Sequence, residues 1–163
     1  MDKETILQTL REKYEADIVS AEMVNDFFTI TLKNDKVSEI IRFLYYQDAT
    51  AFRFLTSVCA VHYPDIDSIA VVYQLHNLVN NVRLRIKTFL PASNPVTQTI
   101  TDTFAGANWM ERETYDFYGV IFKGHPDLRR ILNVDDMVIF PLRKEYPLED
   151  QTREDKQDSM FGR

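Results

Sequence analysis

The chain has 163 residues, 45% of them hydrophobic and 27% charged, with a net charge of −6 at pH 7. These values describe one ordinary globular domain with enough length for a core, and they exclude a collagenous or wholly disordered chain and a strongly basic nucleic-acid binder. A single cysteine, Cys59, excludes an internal disulfide, an iron–sulfur cluster or a multi-thiolate zinc site built from this chain alone.

In chain order, Ile6, Leu7, Leu10 and Tyr14 recur at helical spacing and predict an amphipathic first helix. DIVSAEMVNDFFTITLK predicts two strands around Asn25-Asp26, with Phe28, Ile30 and Leu32 on one face of the second. Val37, Ile40, Ile41, Leu44 and Tyr45 predict a second helix buried on one side, with Asp35 as its cap. Three strands follow. FLTSVCAVHY is nearly continuous in apolar and small residues and predicts a central strand covered on both faces, with Cys59 buried and inert; SIAVVYQL reads alike. NVRLRIKTFL alternates instead, setting Val82, Leu84 and Ile86 toward a core and Arg83, Arg85 and Lys87 toward water, after a turn at Asn80-Asn81.

Asn94-Pro95 predicts a helix start with Ile100 and Phe104 on one face, interrupted at Gly106 and resumed from Asn108 to a left-handed terminator at Gly119. The predicted fold is α+β: a two-layer domain with a mixed sheet of about five strands, ordered helix, two strands, helix, three strands, helix. It occupies residues 1–124, and an extended C-terminal arm occupies 125–163, its charged end disordered when isolated.

Chemistry is narrowed next. The four glycines form neither a dinucleotide fingerprint nor a P-loop, so no NAD, FAD or ATP site is expected. His62, His76 and His125 lack metal-ligand spacing; Asp65 and Asp127 are the nearest carboxylates, and ordinary hydrogen bonds are the expectation. Glu111 and Glu113, two apart on a helix, diverge by about 200° and cannot share a substrate, whereas Arg112 and Asp116, four apart, are expected to pair. Basic residues interleaved with acidic ones favour a protein contact over nucleic acid. No apolar run reaches the roughly 20 residues of a membrane span, and the acidic start MDKET is unlike a signal peptide, so a cytoplasmic location is expected.

The stretch ERETYDFYGVIFKGHPDLRRIL carries the most specific signal. Glu111-Arg112-Glu113, Asp116-Phe117-Tyr118, Gly119, Gly124-His125-Pro126-Asp127-Leu128 and Arg129-Arg130-Ile131-Leu132 resemble the signature of the C subunit of NADH-quinone oxidoreductase, a peripheral-arm component of respiratory complex I. Ala60-Val61-His62-Tyr63-Pro64, Val71-Val72-Tyr73, Arg83-Leu84-Arg85 and Ala107-Asn108-Trp109 extend the resemblance upstream, and Pro141-Leu142-Arg143-Lys144-Glu145-Tyr146-Pro147-Leu148 extends it downstream. His62 stands where the family often has aspartate, and Asp136-Met137-Val138-Ile139-Phe140 replaces a run containing tryptophan and glycine.

The resemblance implies a non-catalytic subunit without a cofactor or metal of its own, with FMN, iron–sulfur clusters and quinone held by partner subunits. It implies docking on the large quinone-site subunit (the D component of the complex) and on neighbouring peripheral-arm subunits, at the cytoplasmic side of the bacterial inner membrane and without insertion into it. There the chain would support electron transfer from NADH to quinone and proton translocation. The equivalent subunit of a membrane-bound hydrogenase or formate hydrogenlyase is the alternative. Residues expected to form the partner interface or structural signature are Trp109, Glu111, Arg112, Glu113, Asp116, Tyr118, His125, Asp127, Arg129, Arg130, Arg143 and Lys144, with Tyr115 and Phe117 as further aromatic anchors.

Overall fold

The computed structural model describes residues 3–147. The expected disordered end of the arm lies outside the described residues. Helix α1 (Lys3–Tyr14) buries Ile6, Leu10 and Tyr14, and a tight 3-10 turn at Glu15–Asp17 leads into β1 (Ile18–Val24) and β2 (Phe27–Leu32). Between these strands Asn25 and Asp26 take φ of 47° and 65°, the left-handed pair a two-residue hairpin needs and that short polar side chains tolerate.

Helix α2 (Val37–Tyr46) buries Val37, Ile40, Ile41 and Leu44. Asp35 does not cap it. The residue lies within a 3-10 turn, Asn34–Lys36, which places Lys36 at the cap position, its side chain paired with Glu39 rather than capping the helix amides.

Strands β3 (Phe54–Tyr63), β4 (Ser68–Asn77) and β5 (Val82–Pro91) complete a five-stranded sheet of order β1-β2-β5-β4-β3, in which β2 and β5 are parallel and the other neighbours antiparallel. The mixed α+β sheet is therefore as predicted. Its register aligns Val58 with Tyr73 and Ile86, and Ile86 with Ile30, on the face that joins the core residues of α1 and α2.

Strand β3 is an edge strand rather than a central one. Leu55, Val58, Ala60 and His62 point inward, while Phe54, Cys59 and Val61 are exposed. Apolar residues on both sides of β3 hide this alternation, because only one side meets a packed layer. Cys59 is correspondingly exposed, not buried.

The segment from Asn94 to Phe104 is not a helix. Val96–Gln98 forms β6, paired in parallel with β7 (Ile121–Lys123), and α3 (Ala107–Tyr118) is the crossover between them. The Pro95 carbonyl accepts from Ile121 N at 2.8 Å, and Thr99 N donates to the Lys123 carbonyl at 3.0 Å, so backbone groups a helix would use serve another strand. β-Branched Val96, Thr97 and Thr99 suit that pairing. Ile100 and Phe104 still reach the core through a single turn, closed by Phe104 N to Ile100 O at 2.8 Å. Gly106 precedes α3 as its cap, and Gly119 ends it at φ 74°. No helix among the described residues is long and apolar enough to cross a membrane.

Candidate functional site: the junction of helix α3 and the arm

Helix α3 runs against β3 and is clamped at both ends by the β6–β7 ribbon, so the signature residues stand on a fixed support. Its last three carbonyls lack intrahelical partners, as at any helix end. Here the arm supplies them all. Arg130 Nη1 donates to Asp116 O at 2.9 Å, Leu142 N to Phe117 O at 3.2 Å and Arg143 Nε to Tyr118 O at 2.7 Å. Two guanidinium groups at the negative end of the helix dipole add a favourable electrostatic contact.

Asp116 is the centre of this junction. Its Oδ1 accepts from Arg130 Nη1 at 2.7 Å, and its Oδ2 accepts from the amides of Ile131, Leu132 and Asn133 at 3.1, 2.8 and 2.9 Å. Burial alone would raise its pKa, but the amides of Asn133 and Leu132 and the Arg130 guanidinium outweigh that and hold the carboxyl well below the usual range. Arg130 Nη2 also donates to the carbonyls of Met137 and Ile139, which fixes the arm's next turn.

The predicted Arg112–Asp116 pair is not formed, because both oxygens of Asp116 are occupied from the arm. Arg112 is buried and donates instead to the carbonyls of Arg129 and Arg130 at 3.2 and 3.0 Å, with its guanidinium 5.4 Å from the Trp109 ring. Phe140 stacks between Arg130 and Arg143, at 5.2 and 5.1 Å, and covers Gly119 so closely that a Cβ there would lie 2.5 Å from the ring. Further along, Lys144 N donates to His62 Nδ1 at 3.0 Å and ties the arm to the end of β3, while the Lys144 side chain is exposed.

Glu111 and Glu113 diverge as their spacing requires, one buried and one exposed. Glu111 accepts from the Thr99 hydroxyl and from Ile100 N, the latter at 2.8 Å. Burial pushes its pKa up to about 7 against these two donors, with Asp102 adding to the rise. His125 Nδ1 accepts from Asp127 N at 3.0 Å, which leaves its Nε2 to donate to the Asn108 carbonyl at 3.1 Å. The imidazole therefore carries its single proton on Nε2, 4.0 Å from Glu111 Oε2. The Asp127 carboxylate turns to Arg129 at the surface, at 3.0 Å.

No group of three His, Cys, Asp or Glu among the described residues is placed to hold a metal. Glu113 is exposed, whereas the His125 side chain is shielded from water. Tyr118 is half-buried, and burial, with Cys59 adding to it, raises its phenol pKa. Sequence reasoning missed Thr99, Asn133 and Phe140 as partners; only Phe140, in the run that departs from the family pattern, carried any signal.

The outward side of the arm is mixed. Leu132, Val134 and Val138 are 66%, 63% and 91% exposed, with Asp135 and Asp136 exposed between the two valines, and Trp109 on α3 is 62% exposed. Arg112, Asp116 and Arg130 thus face inward at the junction, while several apolar side chains of the arm face water.

A family model described as the 30 kDa subunit of respiratory-chain NADH dehydrogenase matches residues 30–152. The chain is 41% identical over 147 residues to the NADH-quinone oxidoreductase C subunit of Geobacter metallireducens, covering 89% of this chain and 90% of that protein. It is 41% identical over 140 residues to the NADH-quinone oxidoreductase C 1 subunit of Rhizobium meliloti, covering 85% and 69%. Among solved structures, a trypsin-resistant fragment of Nqo5 matches with a TM-score of 0.63 and 27% identity, over 76% of this chain and 99% of that one. A chain of the archaeal membrane-bound sulfane sulfur reductase matches with a TM-score of 0.76 and 23% identity, over 89% and 85%, a likeness of fold. With the signature helix, the mixed sheet and these matches in agreement, the chain belongs to the family of the C subunit, or 30 kDa subunit, of respiratory NADH-quinone oxidoreductases.

Proposed function

We propose that this chain is a non-catalytic peripheral-arm subunit that docks on the large quinone-site subunit through its arm and holds that neighbour's chemistry in place. The observation that carries this reading is that large apolar side chains of the arm stand in water next to a junction whose own charges are satisfied. Arg112, Asp116 and Arg130 are committed inside the chain, and Leu132, Val134 and Val138 are turned to water. Exposed apolar area is worth roughly 25 cal/mol per Å² when a partner covers it, which gives these side chains a reason to be covered in a complex.

FMN, the iron–sulfur clusters and quinone are assigned to partner subunits, and the chain is held through them at the cytoplasmic side of the bacterial inner membrane. Relatives at 41% identity named as the C subunit of NADH-quinone oxidoreductase favour this complex over a membrane-bound hydrogenase or formate hydrogenlyase. The archaeal likeness at 23% identity carries only the fold.

The test is co-expression of the tagged chain with the large quinone-site subunit and measurement of how much of that partner is recovered. The double substitution Val134→Asp and Val138→Asp should lower recovery at least tenfold while leaving the melting temperature of the isolated chain unchanged. Equal recovery from the variant and the parent overturns docking through the arm.

A further inference from the structure

The sheet face turned away from α1 and α2 is a second surface, separate from the arm. Alternation along β5 puts Arg83, Arg85 and Lys87 on it. Lys87 lies in register with Val72 of β4, Cys59 of β3 and Thr31 of β2, and Arg85 with Gln74, Ser57 and Thr29. The Lys87 ammonium sits over two rings, 4.7 Å from the Tyr63 centroid and 4.5 Å from that of Phe89, and donates to the Tyr63 hydroxyl at 3.0 Å. Arg85 lies 4.6 Å over Phe27, and its buried Nε has no acceptor.

Among the described residues no carboxylate lies within ion-pair distance of Arg83, Arg85 or Lys87, although Lys36, Arg42, Arg53, Arg129, Arg130 and Arg143 each have one. Stacking on aromatic rings holds Arg85 and Lys87 in place before any partner arrives, which lowers the ordering cost of an ion pair. Both keep unpaired N–H donors. In a chain of net charge −6, three uncompensated cations in line are a local feature that would steer an acidic partner.

The three side chains leave β5 about 6.6 Å apart, and their charged groups spread further, Arg85 toward Phe27 of β2 and Lys87 toward Tyr63 of β3 and Phe89. Glu22, in the same row as Arg85 on β1, and Glu113 of α3, close enough to act on Cys59, flank the cations. Acidic groups on both sides therefore bound the basic surface, unlike the broad basic footprint of a nucleic-acid binder. Exposed Val61 and Phe89 lie beside it and offer apolar contact.

We propose that this face docks an acidic segment of a neighbouring subunit, whose Asp and Glu side chains pair with Arg83, Arg85 and Lys87. The experiment is carbodiimide cross-linking of the assembled complex, which joins an amine to a carboxylate in direct contact, followed by mass spectrometry. Lys87 should be linked to an Asp or Glu of another subunit. Lys87→Arg should abolish that link and keep assembly, while Arg83→Glu with Arg85→Glu should lower recovery of the complex at least tenfold without changing the melting temperature of the isolated chain. A link only to the chain's own carboxylates, including those of residues 149–158, overturns the proposal, as does a Lys87 amine left freely acetylable in the complex. Nucleic acid retained by the parent chain and lost from the double Glu variant overturns it too. The arm reading fails separately: a persistent Lys87 link with undiminished docking of Val134→Asp and Val138→Asp removes the arm interface and leaves this one.

Discussion

The Asp116 carboxylate meets the Arg130 guanidinium at 2.7 Å with both side chains shielded from water, and the pair joins α3 to a strap of chain that has no regular secondary structure of its own. Removing the carboxylate leaves three amides without an acceptor and a buried cation with carbonyl partners but no counter-charge, a loss of about 3–5 kcal/mol. Asp116→Ala should therefore lower the unfolding free energy by that amount, read by urea denaturation, and speed tryptic cleavage after Arg129 and Arg130. Because the folded carboxyl is held below its unfolded value, its contribution is present above about pH 4 and is lost as pH falls further. Acid titration of the parent and the variant by circular dichroism checks this; a parallel loss in both would contradict it.

Glu111 has the opposite sign. Its folded pKa, pushed up to about 7, exceeds the ordinary 4.5, so the group is neutral in both states below about pH 4.5 and costs the fold stability as pH rises toward 7. The total penalty is about 3 kcal/mol, from roughly 1.4 kcal/mol per pKa unit. Glu111→Gln should flatten the fall in stability between pH 5 and 7, measured by urea denaturation at several pH values. A slope unchanged by the substitution would place the titration elsewhere.

Gly119 combines a positive φ with a ring pressed onto its Cα. Gly119→Ala should destabilise by at least 1–2 kcal/mol, roughly the conformational cost alone, with more from displacing Phe140. Adding Phe140→Ala removes the clash, so the two losses should sum to more than the loss in the double variant. Strict additivity in a thermal-denaturation cycle would show that the ring yields without cost.

Cys59 should be alkylated in the native chain without unfolding, since it is exposed on the open sheet face. Partial burial, with Glu113 adding to it and Arg85 opposing, holds its thiol above the ordinary value. The iodoacetamide rate at about pH 8 should consequently be below that of free cysteine and should rise through a higher pH. A rate limited by global unfolding would return Cys59 to the interior.

Elements with one wet side were legible in the sequence. Ile6, Leu10 and Tyr14 of α1, the Val37 to Leu44 stripe of α2 and the β5 alternation each state their own inward face. β3 was not, because Phe54, Cys59 and Val61 put apolar side chains on its outer side, and edge position follows from topology rather than composition. Asn94-Pro95 follows helix-start grammar, but the partner of Val96 is Ile121, a contact no local pattern encodes. The same limit applies to the junction. Spacing along α3 suggested Arg112 for Asp116, whereas Arg130 and three successive amides reach it from the arm. Residue types at the site could be read in advance, and their partners could not.

The receptors for the arm come from distant parts of the chain: His62 at the end of β3, and the carbonyls of Asp116, Phe117 and Tyr118 at the end of α3. They are brought together by the finished sheet and by the β6–β7 ribbon that holds the helix. A nascent or damaged molecule consequently has nowhere to lay its strap. The ordered path of the strap is thereby made conditional on correct folding of the sheet and of α3, so it reports on both at once.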